Sequence, residues 1–379
     1  MENIEKFLKE NKDELYRIHK ELCLIPAPSG LEDERAEYCK DLLNSYGAKG
    51  VYIDEAKNVI FPLNADKSDR LTVMVAHTDT VFPDLEPMPF VDDGETIKCP
   101  GVGDDTASLA VLLLVAKFLV ENGIKPENGL LIVANSCEEG LGNLKGTRQL
   151  FKDFEGRVAQ FISYDAASLR RITNNCVGSV RYEVEVKTEG GHSYGAFGNK
   201  NAIHYLSKIV NAIYELKVPE IEGERTTYNV GTIEGGTSVN TIAQNAKMLC
   251  EYRSTSSEAL KIMKGKFFEI FDTVRAMGVE VNVTVVGERP SAKGVDENEI
   301  KRMCEIVSKV QKEVTGEDTA YGSGSTDCNI PLSLGVPAIC FGVYVGGGAH
   351  TRGEWIKKDS MMPGLEIALK TTLDFVKGE

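Results

Sequence analysis

The sequence predicts an α/β protein: a domain with a mostly parallel mixed sheet, split by an inserted α+β domain. Three observations predict it. Near-continuously apolar runs such as Leu71–Ala76 and Gly129–Asn135 alternate with helical segments, as strands buried on both faces do. From Val177 the pattern changes to strict alternation, with Val180, Tyr182, Val184 and Val186 interleaved with Arg181, Glu183, Glu185 and Lys187. After Arg289-Pro290 the first pattern resumes. The expected domains are therefore 1–176 and 288–379, which together form the α/β domain, and 177–287, the insertion. A chain of 379 residues is long for one core and accommodates two.

Taken in order, helices are expected over Ile4–Leu22 and Glu32–Ser45, separated by Pro26-Ala27-Pro28-Ser29-Gly30. Val51–Asp54, Asn58–Leu63 and Leu71–Ala76 read as strands. A proline-rich loop, Pro83–Pro89, follows. Gly101–Asp105 then leads into a strongly apolar helix that ends near Asn122-Gly123. Strand Gly129–Asn135, a short helix around Leu144–Phe151 and strand Ala159–Tyr164 complete the first part. The insertion carries helix Ala202–Leu216, strands Tyr228–Ile233 and Thr241–Tyr252, a helix over 257–277 and strand Val279–Val286. Helix Glu297–Val314, strand Val336–Phe341 and helix Ser360–Val376 close the chain.

Composition narrows the function. Net charge is −14 and no basic stripe is present, which argues against nucleic acid or an anionic membrane as partner. The opening residues lack the apolar core and cleavage site of a secretory signal, and the apolar run Leu109–Val120 is interrupted by Lys117. Nine scattered cysteines without a CxxC suit a reducing compartment, so a cytoplasmic protein is expected.

The chemistry-bearing residues cluster at strand ends, where ligand sites of parallel sheets lie. His77 and Asp79 close the run Leu71–Thr80. Residues i and i+2 of an extended chain point the same way, which suits a metal-bound imidazole beside a carboxylate; a core strand with a polar turn is the alternative. Asp104-Asp105 stands at a helix start. One Asp would suffice as a cap, and a cation would relieve the repulsion between two. Glu138-Glu139 and Asp165 each end a buried strand. His350 lies in Gly346-Gly347-Gly348-Ala349-His350-Thr351. Two imidazoles with several carboxylates suit zinc, manganese or cobalt rather than a thiolate site. His19 and His204 sit in helices and read as structural or surface residues.

These pieces, with Gly190-Gly191-His192-Ser193, Gly235–Ile242, Tyr252-Arg253-Ser254, Ser325-Thr326-Asp327-Cys328-Asn329 and Glu354, resemble the metallopeptidase family of peptidase T, carboxypeptidase G, succinyl-diaminopimelate desuccinylase and aminoacylase. The resemblance implies a zinc-exopeptidase-like catalytic domain with the insertion as lid and dimerisation domain, hence a homodimer. It implies two divalent ions, zinc first, with cobalt or manganese as alternatives. His77 and Asp165 would hold one ion, Glu139 and His350 the other, and Asp104 would bridge them. The Asp104–Asp105 peptide would be cis. Asp79 would orient His77 and Glu138 would be the general base. His192 would stabilise the oxyanion, and Asn240 and Arg253 would hold the substrate, a strand-end ion pair being the alternative for Arg253. Thr106 stands where family members often carry Lys or Met. Asp165 in place of Glu resembles the di- and tripeptide-cleaving branch.

The expected activity is therefore metal-dependent exopeptidase cleavage of short peptides, of the peptidase T aminopeptidase kind. The alternatives are an amidase or deacylase of N-acyl amino acids, a carboxypeptidase of the same family, and a metal-free homologue that only binds.

Overall fold

The computed structural model describes residues 2–377. It divides into two compact units, Met1–Cys176 with Lys293–Glu379, and Val177–Ala292. The second boundary falls after Ala292 rather than 287, because strand Glu280–Arg289 stays paired with Gly178–Lys187 as far as Arg289 opposite Ser179.

The first unit is built on an eight-stranded mixed sheet. Its order is Tyr52–Ile53, Val59–Leu63, Gly129–Asn135, Leu71–His77, Val158–Ser163, Ala338–Phe341, Arg171–Cys176 and Ala320–Gly324. The four middle strands, Gly129–Asn135 through Ala338–Phe341, run parallel. Every residue of Leu71–His77 and of Gly129–Asn135 is buried, which accounts for their unbroken apolar character. His77 pairs with Asn135, and both Val75 and Cys340 pair with Ser163, so these strands end level with one another.

Helix Thr106–Glu121 is apolar nearly all round and buried along nearly its whole length. It packs against helices Glu2–Cys23 and Met361–Val376 and against strand Leu71–His77, as a helix without a polar face must. A second, four-stranded antiparallel sheet joins Val91–Asp92, Thr96–Lys98, Trp355–Lys357 and Gly346–Gly347. It brings the loop bearing His350 beside the segment that leads to Asp104.

Strands Arg171–Cys176 and Ala320–Gly324 and this small sheet were not expected from the sequence. Ala-Tyr-Gly-Ser-Gly and Arg-Ile-Thr-Asn-Asn-Cys carry glycine and asparagine, which disfavour strands, and they pair only because the neighbouring edge is available.

His19 is a buried imidazole, met at Nε2 by the Val102 carbonyl and, at 3.6 Å, by the Cys23 thiol. Its Nε2 lies 2.7 Å from the Val102 carbonyl oxygen, and burial pulls its pKa down to about 4. The unfolded chain, near 6.5, binds the proton first, so stability is full above pH 6.5 and declines as pH falls toward 4. The expected result is that the parent loses about 2–3 kcal/mol between pH 7 and 4.5 that His19→Gln does not lose. Urea unfolding at the two pH values checks it; parallel losses in both proteins would remove His19 as the cause.

The second unit is a four-stranded antiparallel sheet in the order Thr226–Gly235, Asn245–Ser254, Gly178–Lys187, Glu280–Arg289. Helices Ala202–Tyr214 and Ser257–Arg275 cover one face, each capped by the side chain before it, Asn201 and Ser256. Tyr182, Tyr252, Phe267 and Phe271 interlock at the centre. The single strand expected over Thr241–Tyr252 is broken at Ala243-Gln244. The carbonyls of these two residues accept from Ala202 N–H and Thr188 N–H, so Thr241–Ile242 pairs separately with Gly191–His192.

Candidate active site and metal centre

The C-terminal ends of the parallel strands bring His77, Asp104, Glu138, Glu139, Asp165 and His350 into one region of the first unit. His77 is held from three sides. Its backbone N–H donates to Asp105 Oδ2 at 3.0 Å. Its Nδ1 lies 2.9 Å from the Asp79 carbonyl oxygen, which only accepts, so Nδ1 carries the proton. Nε2 faces outward, 3.1 Å from Asp104 Oδ1, to which it donates while the ring is an imidazolium; a metal ion would take that proton's place. His350 Nε2 lies 3.1 Å from Asp104 Oδ2 and 3.0 Å from Glu139 Oε1. The two imidazoles thus converge on opposite oxygens of one carboxylate. The Asp104–Asp105 peptide is cis.

Asp79 has more partners than the expected one. Its carboxylate is 3.4 Å from His77 Nδ1, but its shorter bonds go elsewhere. Oδ1 accepts from Glu138 N–H and Oδ2 from Glu139 N–H, both at 2.9 Å, and Oδ2 also accepts from Ser29 Oγ at 2.5 Å. Asp79 therefore seats the glutamate pair as well as flanking His77. In Asp79→Asn, an NH₂ group must face one of these donors, and a buried donor left unmet costs about 1–3 kcal/mol. The expected result is that loss of stability together with lowered turnover. An Asp79→Asn protein as stable and as active as the parent would contradict it.

Other buried groups complete the frame. Glu354 accepts from Gly101 N–H at 2.7 Å and from Gly103 and Asp104 N–H at 2.9 Å each, fixing the loop before the helix. Gly103 sits against the Tyr344 ring, where an added Cβ would come within 2.7 Å. Arg35 is buried below the His77–Asp79 turn. It donates to the carbonyls of Thr78 at 2.8 Å and of Leu22 and Ile25 at 2.7 Å. Glu32, also buried, accepts from Gly30 N–H and Cys137 N–H. Ser29, Glu32 and Arg35 were not among the expected site residues. The legible signal for Arg35 was a charge on the apolar stripe of its helix, beside Ala36, Cys39 and Leu43.

The electrostatics are those of a carboxylate cluster short of fixed cations. Burial pushes Asp165 well above the usual carboxylate range, and Asp104 and Asp105 add to the shift. Burial likewise raises Glu139 to about 7. Asp104 goes the other way: burial opposes ionisation, but hydrogen bonds from His350 and His77 hold its carboxyl well below the usual range. Its contact with Asp104, then that with Glu139, lifts His350 to about 10. Cations brought into this cluster would take over the role of the imidazolium protons.

The donor set fits divalent ions. His77, Asp104 and Glu139 place one donor atom each within 4.8 Å of one another, as do His77, Glu138 and Asp165. All donors are nitrogen or carboxylate oxygen, the set expected for zinc, manganese or cobalt. The nine cysteines are buried and unbridged. Burial raises the Cys137 thiol to about 12 and the Cys328 thiol well above its ordinary value, so neither offers a thiolate near neutral pH.

The remaining expected site residues lie in the second unit. His192 pairs with Thr241 across the short ladder, and Ser193 N–H donates to the Asn240 carbonyl at 2.9 Å, so His192 and Asn240 are neighbours. His192 is exposed. Its Nδ1 accepts from the N–H groups of Tyr194 and Gly195 at 3.3 and 3.2 Å, which places the ring proton on the outward Nε2. Arg253 forms the ion pair that was its alternative reading: Nε and Nη2 fork onto Glu251 at 2.7 and 3.1 Å.

Comparison with known proteins gives a consistent picture. The sequence model of Peptidase family M20/M25/M40 matches residues 73–374. Over 341 residues the chain is 26% identical to a succinyl-diaminopimelate desuccinylase of Corynebacterium glutamicum, covering 87% of this chain and 88% of that one. Among solved structures, aminopeptidase PepT from Bacillus cereus superposes with a TM-score of 0.73 at 22% identity, over 95% of this chain and 98% of that one. A tripeptidase from Staphylococcus aureus superposes with a TM-score of 0.76 at 22% identity, over 97% and 99%.

Proposed function

Because the chain belongs to Peptidase family M20/M25/M40 and is a metal-dependent hydrolase, we propose that it is an exopeptidase for short peptides, specifically an aminopeptidase of the peptidase T kind. One observation carries this reading: two imidazole nitrogens meet opposite oxygens of Asp104, with Glu138, Glu139 and Asp165 grouped around them.

In this reading His77, Asp165 and Asp104 would hold one ion, and Glu139, His350 and Asp104 the other. Zinc is the first choice by donor type. When bound, the two ions supply Lewis acidity that polarises the scissile carbonyl and makes water nucleophilic near neutral pH. Glu138 takes the proton from the attacking water and delivers it to the leaving amine nitrogen. Asp79 keeps the His77 ring and the Glu138–Glu139 backbone in place for that transfer. We assign oxyanion stabilisation to the Nε2–H of His192 and the holding of the peptide backbone to Asn240. Arg253 receives a substrate carboxylate in exchange for Glu251. We assign dimerisation to the second unit and a cytoplasmic location to the protein. No helix among the described residues is long and apolar enough to cross a membrane.

The desuccinylase relative favours a second reading, hydrolysis of N-acyl amino acids. A panel of tripeptides, dipeptides, N-succinyl and N-acetyl amino acids, assayed with zinc, cobalt and manganese, separates the two. Preference for tripeptides with a free amino terminus is expected. Faster hydrolysis of acylated amino acids would replace the peptidase reading with the amidase one. Inactivity with all of them, together with no bound metal, would leave only a binding role.

A further inference from the structure

The segment carrying Glu138 and Glu139 runs from Ser136 to Gly146 and closes on itself. At its neck Leu144 N–H donates to Cys137 O at 3.0 Å and Gly146 N–H to Ser136 O at 3.2 Å. Inside it, Cys137, Asn143 and Leu144 have φ values of 56°, 56° and 59°. The left-handed region is costly for non-glycine residues, which stay there only when the surroundings hold them.

Glu32 and Asp79 hold the N–H groups of Cys137, Glu138 and Glu139 from outside, and two further side chains hold the ends of the segment. Asn58 Oδ1 accepts from Ser136 N–H at 3.0 Å, and its Nδ2 donates to Gly146 O at 2.9 Å and to Asp54 Oδ2 at 2.7 Å. Asp327 takes the next residue out on each side. Oδ2 accepts from Asn135 Nδ2 at 2.6 Å and Oδ1 accepts from the Thr147 hydroxyl. Asn135 is the last residue of its strand and Thr147 lies in the first turn of helix Lys145–Asp153. Asn58, Asn135, Thr147 and Asp327 are all fully buried.

We propose that Asp327 is a positioning residue for hydrolysis, a clamp that joins both ends of the 136–146 segment and so fixes the orientation of Glu138 and Glu139. This rests on the roles given to those glutamates above. The chemistry of the clamp explains why a carboxylate stands there. Both partners donate, and only an acceptor-only group meets both without presenting a donor of its own. A buried carboxylate is expensive unless it is so satisfied. Asp327 belongs to the part of the chain that follows the insertion, so the glutamate segment is locked only once the catalytic unit has closed around it.

Hydrogen exchange and steady-state kinetics on the full-length chain test this. Three proteins are compared: the parent, Asp327→Asn, and Asp327→Asn combined with Asn135→Asp. The combination reverses the shared hydrogen bond and conserves net charge. Asp327→Asn is expected to speed exchange within 136–146 about tenfold and to lower kcat about 10–100-fold, as an unmet buried donor would. KM should stay within about twofold of the parent, since the clamp does not touch substrate. The combined variant should regain both protection and most of kcat. Unchanged exchange in 136–146 would overturn the proposal. So would exchange that rises equally in strands 71–77 and 158–163, which marks plain loss of core stability. If Asp327→Asn does not fold, Thr147→Val removes one arm of the clamp and carries the same expectations. If the parent hydrolyses no member of the panel, the functional reading fails, while the exchange measurement still decides the clamp.

Discussion

Glu138→Gln is expected to lower kcat by about 10²–10⁴-fold, the range that a positioned general acid–base group supplies. The substitution keeps size and burial but removes the charge and the ability to take up a proton. Glu138 groups with His77 and Asp165, and its backbone N–H is held at 2.9 Å by Asp79. The amide can therefore occupy the same place without disturbing Glu139, whose own N–H bonds the other oxygen of Asp79. Metal content of the purified variant should match the parent, and KM should change little. This separates Glu138 from its neighbour: Glu139→Gln should lose bound metal along with turnover. If Glu138→Gln keeps substantial activity, the base lies elsewhere. If it loses metal as Glu139→Gln does, Glu138 is a ligand and not the base.

Asp104→Asn is expected to have the broadest effect. One carboxylate faces both imidazoles, and hydrogen bonds from His350 and His77 keep it ionised despite burial. An amide offers a single acceptor oxygen and no charge, so it cannot serve two cations. Substitutions that only touch a ligand from behind cost about 10–100-fold in metal affinity or activity, and removal of a shared ligand should exceed that. Metal analysis should show fewer than two ions per chain. Zinc added to the metal-free parent should raise Tm, because a ligand present at about 100 times its Kd stabilises by about 2.7 kcal/mol. The same addition to Asp104→Asn should leave Tm nearly unchanged. A variant that binds two ions with parental affinity would show that Asp104 does not span them.

Much of the architecture was legible in the chain because it depends on local periodicity. Leu71–His77 and Gly129–Asn135 are apolar without interruption since both faces are buried, and a polar residue at the end of such a run marks the rim of the sheet. The alternation at 180–187 marked a sheet with one covered face. The last two strands of the sheet, Arg171–Cys176 and the edge strand Ala320–Gly324, were not legible. Their residues have little intrinsic preference for extended structure, and they pair because a neighbour offers an unpaired edge.

The candidate site divides in the same way. The residue types at His77, Asp104, Glu138, Glu139, Asp165 and His350 stood out because acids in succession and histidines beside glycines are conspicuous in a short window. By itself the sequence determined most of the long elements and which residues could serve as donors. Tertiary structure alone decided the partners: Glu354 on the amides of Gly101, Gly103 and Asp104, Asp79 on those of Glu138 and Glu139, and Asp327 across Asn135 and Thr147. These contacts join residues some 60 to 250 positions apart. A hydrogen bond depends on where the chain's path delivers a donor and an acceptor, and no local window of sequence records that path.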